Sequence, residues 1–382
     1  MTITFVTNLV HHHQLPVADE FYKMLGDDYK YIACEPLPEW LIKGGYDPSL
    51  DRSYIVRTYQ NESEMFKARK LIDESDVVII GSAPNEWVYK RKKENKVTFH
   101  YHERWLKHFN LKLLLPQAIY YRWKNFTQFR NKRTYMLCAS AFTSKDVKLY
   151  GAFPHKCFKW GYFTKVDEDF ELEAPNLGAS SSESTPLMWC ARFLSWKHPE
   201  LPVMLAQRLK QKGYNFHIDM FGGGEELENT KALISKLGVE DCVKLCGNRP
   251  NEEILQEMRR HSIFLFTSDR NEGWGAVLNE AMSNGCAVVA SDEIGSVPYL
   301  IKDKENGLTF KSRSLDSLTE NVEFLLTNKE TCLAIRENAV KTMQNLWSPK
   351  NAANNFIELA QCVLQGHLDM YERIEGPASW DK

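Results

Sequence analysis

Residues 262–290 read SIFLFTSDRNEGWGAVLNEAMSNGCAVVA, and their pattern decides the fold. Two short runs, 262–266 and 286–290, are almost continuously apolar. Between them, 275–284 spaces its apolar residues as a helix does and ends at Gly285, where a residue free to take positive φ closes a helix. A strand that does not alternate polar with apolar is buried on both faces, which in a strand–helix–strand unit means a parallel sheet. The same unit repeats outward. Strand-like runs at 187–191, 216–221 and 242–245 are separated by helical patterns at 199–212, 225–237 and 251–260, with Gly213 and Gly238 after two of them. This alternation predicts a doubly wound α/β domain over 187–345.

The first half repeats the theme. Runs at 3–6, 77–80 and 97–99 read as parallel strands ending at the polar clusters NLVHHH, GSAPNE and HYHER. A length of 382 residues accommodates two such domains. The expected organisation is an N-terminal Rossmann-like domain, 1–165, and a second one, 187–345, facing it across a cleft. The acidic, then Ser/Pro/Gly-rich stretch 166–186 reads as a linker. Ser348-Pro349 starts a last helix at about 348–365, within a 346–382 segment expected to pack back on the N-terminal domain.

Hydrophobic residues are 43% and charged residues 26% of the chain, an ordinary globular composition, and 48 basic against 50 acidic residues give a net charge of −2. That balance argues against a dedicated nucleic-acid binder. The nine cysteines contain no CxxC pair; Cys242 and Cys246 have no second pair or histidine set in sequence to complete a zinc site. Free thiols, no signal-peptide pattern and no run of 18 apolar residues predict a cytoplasmic protein without a membrane span.

Ligands of open parallel sheets bind beyond the carboxyl ends of the strands. After 187–191 comes Arg192-Phe-Leu-Ser-Trp-Lys197, and after 216–221 a triple glycine, 222–224, that reads as a tight turn. After 262–266 comes TSDRN followed by Glu272-Gly273-Trp274-Gly275, opening a helix that bears Glu280. Backbone N–H groups at a helix start attract phosphate, and glycines allow close approach. Arg192 can chelate phosphate oxygens and Lys197 adds a point charge. Together they could hold a diphosphate and absorb charge growing on it as a bond breaks. Two carboxylates beside a diphosphate would face its neutral, hydroxyl-rich ends, a description that a sugar nucleotide fits.

Glu272-Gly-Trp-Gly-Ala-Val-Leu-Asn-Glu280 resembles the E-x7-E signature of retaining glycosyltransferases of the GT-B fold, family 4 (glycosyl transferases group 1). Arg192-x4-Lys197 is similar to that family's R-x4-K pair, and Gly247-Asn248-Arg249 to its loop beside the nucleotide base. The similarity runs on through NGCAVVASDEIGSVPYLIKDKENGLTF and covers about 186–345. In the first half, Asn8…His12-His13-Gln14, His102-Glu103-Arg104 and Lys159-Trp160-Gly161-Tyr162 look like segments of capsule and lipopolysaccharide transferases. The resemblance implies transfer of a sugar from a UDP- or GDP-linked donor to a saccharide or lipid-linked saccharide acceptor, with retention and without a metal or other cofactor. By it, Glu272 holds donor-sugar hydroxyls and Glu280 the ribose. Arg192, Lys197 and the amides of Gly273, Trp274 and Gly275 hold the diphosphate, and Asn248 and Arg249 flank the base. His100 or His102 faces the transferred sugar, and His12, His13 and Glu103 lie on the acceptor side. The glycine pair common after the family's first strand is absent; His11-His12-His13 stand there instead.

Each feature also has a structural reading: Trp274 as packing, His100 and His102 as hydrogen-bonded residues on one side of an extended chain. An epimerase or phosphorylase on the same fold, or a non-catalytic binding module, are the rival functions. From 88 to 136 there are 13 basic residues against Glu94 and Glu103, net +11, interleaved with aromatics including Trp87, Trp105, Phe109, Tyr120, Tyr121 and Trp123. Such a stretch suits an anionic membrane surface, at about 1 kcal/mol per basic residue. Single-stranded nucleic acid is the less favoured partner, and a solvated basic face the bland alternative.

Overall fold

The computed structural model describes residues 1–39, 50–107, 115–172 and 184–381. The chain divides into two units, Met1–Lys165 with Leu346–Lys382, and Val166–Asn345.

Among the described residues the first unit is built on seven strands: β1 (Ile3–Thr7), β2 (Tyr29–Ala33), β3 (Ile55–Arg57), β4 (Val77–Ile80), β5 (Val97–His102), β6 (Thr134–Cys138) and β7 (Cys157–Lys159). They are all parallel, in the order β3-β2-β1-β4-β5-β6-β7. The order reverses between β1 and β4, which opens a crevice at their carboxyl ends. Connecting helices are α1 (Leu15–Leu25), α2 (Glu62–Glu74), α3 (Tyr89–Lys93), α4 (Pro116–Asn125) and α5 (Thr143–Leu149). Four of these strands escape the sequence pattern. Lys30 interrupts β2, and β6 and β7 are short apolar runs set among lysines and arginines.

The basic stretch is therefore not one surface. Arg91 and Lys92 are fully buried. The Arg91 guanidinium donates to the carbonyls of Ile72 (2.6 Å), Ser75 (2.7 Å) and Val97 (3.0 Å), closing the carboxyl end of α2. Burial pulls its pKa down to about 10. Lys92 donates to the Asn125 carbonyl at 2.8 Å and sits 4.7 Å from the Phe129 ring; burial lowers it to about 7. At least these two of the thirteen charges are structural, a correction that sequence could not supply because both belong to a polar-looking KRKK run. Phe109 and Lys112 lie outside the described residues.

The second unit has six parallel strands, β8 (Thr185–Cys190), β9 (Phe216–Phe221), β10 (Val243–Gly247), β11 (Ile263–Phe266), β12 (Ala287–Ser291) and β13 (Leu308–Phe310), in the order β10-β9-β8-β11-β12-β13. Its helices are α6 (Glu200–Gln211), α7 (Leu227–Leu237), α8 (Asn251–Arg260), α9 (Val277–Ser283), α10 (Val297–Leu300), α11 (Leu315–Thr327) and α12 (Lys329–Lys341). The predicted strands and helices of this half are all present, because both faces of the sheet are covered and each strand shows as an apolar run. Leu187, Trp189, Ile218, Ile263, Leu265 and Val289 form one core with residues of α6 and α11. The strand order reverses between β8 and β11.

Residues 166–172 are more than a tether. Asp167 pairs with Arg259 at 3.1 Å, whose guanidinium lies 4.5 Å over the Phe170 ring, and Gln344 donates to the carbonyls of Asp167 (3.0 Å) and Phe170 (2.9 Å). Phe170 and Leu172, two apolar residues among acids, anchor this part of the expected linker on the second unit. The rest of it, 173–183, lies outside the described residues.

The last helix, α13 (Pro349–Gln365), belongs to the first unit. Ser348 caps it by accepting the Asn351 N–H at 3.2 Å, with Pro349 in the first turn. Phe356, fully buried, meets Phe99 (5.0 Å), Phe21 (5.6 Å) and Trp160 (5.6 Å), a contact worth about 2–3 kcal/mol. The tail then returns to the sheet edge, where Trp380 bridges Phe158 of β7.

Candidate functional site

Strands β8 and β11 are adjacent, so the loops leaving their carboxyl ends meet at the second unit's switch point. The loop after β8 carries Arg192 and, in a single 3-10 turn, Lys197. The loop after β11 carries Glu272. The structure brings the last two together: Lys197 Nζ pairs with Glu272 Oε2, both side chains only 11% exposed. Ser268 Oγ donates to the same carboxylate oxygen at 3.1 Å. Lys197 is placed by a buried relay in which Trp189 Nε1 donates to Thr267 Oγ1 (2.8 Å) and Thr267 donates to the Lys197 carbonyl (2.7 Å). Arg192 is exposed and makes no ion pair among the described residues.

Glu280 lies on α9, one turn in, and is buried. Burial raises its pKa to about 7, against a hydrogen bond from Asn251 that lowers it. Its charge and that of Lys197 both reach the Cys190 thiol at the end of β8, which burial pushes up to about 12. Lys197 and Glu272 thus pair beyond the ends of β8 and β11, and Glu280 follows on the helix that the β11 loop opens. Sequence reasoning missed a second network supporting it. His198 sits between Glu200 (2.7 Å) and Asp269 (3.3 Å), and Asp269 also takes Arg313 at 2.5 Å. Burial opposes the charge on His198, but the two carboxylates outweigh it and raise its pKa. The only sequence signal was the polar TSD run directly after an apolar strand.

The glycines have packing reasons. A side chain at Gly222 (φ +128°) would place Cβ 2.0 Å from the Ala191 carbonyl oxygen, and one at Gly224 would lie 2.5 Å from the Phe193 carbonyl oxygen. The triple glycine thus lets the β9 turn nest on the β8 turn, with Phe193 N–H donating to Gly223 O at 2.9 Å. At Gly275 (φ +85°) a Cβ would lie 2.4 Å from the Phe266 ring. Trp274 is fully buried, its Nε1 donating to Asn279 at 2.9 Å, so it packs and does not line a surface. The N–H groups of Gly273 and Gly275 donate to no backbone carbonyl among the described residues. Asn248 stands against Gly223, and Arg249, exposed, is 3.9 Å from Glu253.

In the first unit, the loop after β1 places His12 and His13 with ring centroids 3.8 Å apart and His11 5.9 Å from each. Burial, then the neighbouring imidazole, holds His11 at about 4, and His13 is held well below the ordinary range. Tyr162 lies 6.2 Å from His13 and donates to Glu103 at 3.1 Å; Glu103 also pairs with Lys107. His12, His13 and Glu103 thus share one cluster at the sheet's carboxyl edge. His100 and His102 do share a side of β5, with rings 6.1 Å apart. They are not in that cluster. His100 is fully enclosed against Phe126 (5.1 Å) and Phe153 (5.5 Å), with no surface to offer a ligand, and His102 packs on Phe126 and Trp105.

Residues 180–342 match the family model described as glycosyl transferases group 1. Amylovoran biosynthesis glycosyltransferase AmsK of Erwinia amylovora is 34% identical over 144 residues, 36% of this chain and 35% of AmsK. The chain spans less than half the length of the curated relatives it matches. Among solved structures, Anabaena Alr3699/HepE in complex with UDP superposes with a TM-score of 0.69 at 14% identity, over 94% of this chain and all of that one. WaaG, a glycosyltransferase involved in lipopolysaccharide biosynthesis, gives 0.62 at 15% identity over 92% and 98%. Over residues 180–342 the chain is thus similar to the glycosyl transferases of group 1, and its two parallel-sheet Rossmann-like units have the GT-B fold of solved glycosyltransferases.

Proposed function

We propose that the protein is a retaining glycosyltransferase that moves a sugar from a UDP- or GDP-linked donor to a saccharide acceptor in polysaccharide or glycoconjugate synthesis. The observation that carries this reading is the Lys197–Glu272 pair beyond the ends of β8 and β11, with Glu280 on the helix that follows and Arg192 exposed on the β8 loop. Arg192, Lys197 and the amides of Gly273 and Gly275 bind the diphosphate and take up the charge that grows on it as the glycosidic bond breaks. Glu272, already fixed by Lys197 and Ser268, accepts hydrogen bonds from donor-sugar hydroxyls. Glu280 accepts from the ribose, and Asn248 and Arg249 border the base. No metal is needed, because the two cations fill that role. The leaving phosphate accepts the acceptor's proton on the same face as it departs, which preserves the anomeric configuration. His12, His13 and Glu103, a neutral imidazole pair beside a carboxylate, supply hydrogen bonds for the acceptor.

Exposed α4 supports a peripheral membrane role. It carries Ile119, Tyr120, Tyr121 and Trp123, with Leu115 just before it, each about half exposed, alongside Arg122 and Lys124. That mixture suits the headgroup region of an anionic bilayer; no helix among the described residues is long and apolar enough to cross one. Retention on anionic vesicles that falls on Trp123→Ala supports it, and equal retention on neutral vesicles or RNA counts against it.

A thermal-shift screen of nucleoside diphosphate sugars identifies the donor. Transfer is then followed by NMR. The expected product keeps the donor's anomeric configuration, and Glu272→Gln nearly abolishes turnover. An inverted product, full activity in that variant, or conversion of the donor sugar with no acceptor present refutes the reading.

A further inference from the structure

At the amino-terminal half of β9, His217 and Asp219 stand two residues apart on one face of the strand. His261, at the end of α8, comes over β8 to meet them. One nitrogen of each histidine and a carboxylate oxygen of Asp219 lie within 4.8 Å of one another. The position is set back from the strand's carboxyl end: Asp219 precedes Gly223 by four residues, about 13 Å along an extended chain.

Two details point to a ligand. His261 is 3% exposed, and its Nδ1 lies 2.6 Å from the Glu257 carbonyl oxygen, an acceptor, so Nδ1 carries the proton. In neutral imidazole that leaves Nε2 as a bare lone pair. This atom is buried and faces Asp219 Oδ2 at 3.4 Å, too long for a well-formed hydrogen bond. Two acceptors so close repel each other unless a cation, a proton or a metal ion, lies between them. About 3.3–3.5 Å is also the edge of a tetrahedron around zinc with bonds of about 2.0–2.2 Å. His217 Nδ1 is engaged by Ser184 Oγ at 3.0 Å, which leaves its Nε2 as the nitrogen able to ligate. An outer partner on each imidazole's second nitrogen is the arrangement that orients ligating histidines.

We propose that His217, Asp219 and His261 bind one divalent transition-metal ion, with zinc the best fit to a two-imidazole, one-carboxylate set. Asp219 also lines a groove of about 390 Å³ together with Lys244, Cys246, Arg249 and Glu257. Lys244 is exposed and paired with Asp219 in register, so its ammonium can turn to solvent. The ion ties β9 to the α8–β11 turn and thereby steadies the segment that begins at Arg249. It takes no part in the transfer chemistry.

The test uses chelator-stripped full-length protein carrying no histidine tag. Calorimetry with zinc alone, and visible absorption with cobalt(II) alone, should report one equivalent with the spectrum of a low-coordinate nitrogen–oxygen site. His217→Ala and Asp219→Asn, both at partly exposed positions, should each weaken zinc at least about 100-fold and remove the zinc-dependent rise in melting temperature. Circular dichroism confirms that the variants fold, and either one alone decides the matter. Absence of saturable binding overturns the proposal. So does stoichiometric binding that survives both substitutions, or that is lost on His12→Ala, which would place the ion on the His11–His13 run.

Discussion

Replacing Glu280 by Gln should make the second unit more stable while harming donor binding, and the gain should depend on pH. The carboxyl is buried and its pKa moves from 4.5 to about 7 on folding. Between those values the folded state holds a proton that the unfolded state has released, so stability falls as pH rises through the window. The cost of keeping Glu280 is about 1 kcal/mol at about pH 5.5 and about 3 kcal/mol at about pH 8. Glutamine fills the same volume, can keep a hydrogen bond with Asn251, and never ionises. The stability difference between Glu280→Gln and the parent should therefore grow by about 2 kcal/mol from pH 5.5 to pH 8. Every other titrating group cancels in that difference. Urea unfolding read by amide exchange over β11 and β12 isolates the second unit from the first. A difference that stays flat with pH, or a variant less stable than the parent at pH 8, refutes the burial argument.

Lys197→Met should cost about 3–5 kcal/mol, because it strands the Glu272 carboxylate. The double variant with Glu272→Gln should recover at least 1 kcal/mol of that in a denaturation double-mutant cycle, roughly the coupling expected of contacting groups. Arg192→Ala should leave stability unchanged within about 0.5 kcal/mol and raise turnover's donor KM. Gly275→Ala should destabilise by about 2–4 kcal/mol from the strained φ and the clash with Phe266, measured as a lowered melting temperature.

The second unit was legible because its strands are buried on both faces and its chemistry sits in short, contiguous segments. Arg192, Lys197, Glu272 and Glu280 all fall directly after a strand or at the start of a helix, where topology fixes their position. What was hidden depended on distance in sequence. The Lys197–Glu272 pair spans 75 residues and the His217–His261 approach 44, and no spacing rule relates them. His100 followed a strand pattern correctly, yet its side was the one covered by Phe126 and Phe153, from elements that the basic composition of 88–136 masked. Trp274 stood in the motif but turned inward to Asn279.

The most direct measurement is isothermal titration of UDP and GDP into the parent protein and Arg192→Ala. One of the two should bind saturably with one site per chain, and the substitution should weaken it by about tenfold or more, as loss of a charged hydrogen bond does. Failure of both nucleotides to bind, or equal affinity in the variant, would remove the diphosphate from this strand end and with it the proposed glycosyl transfer.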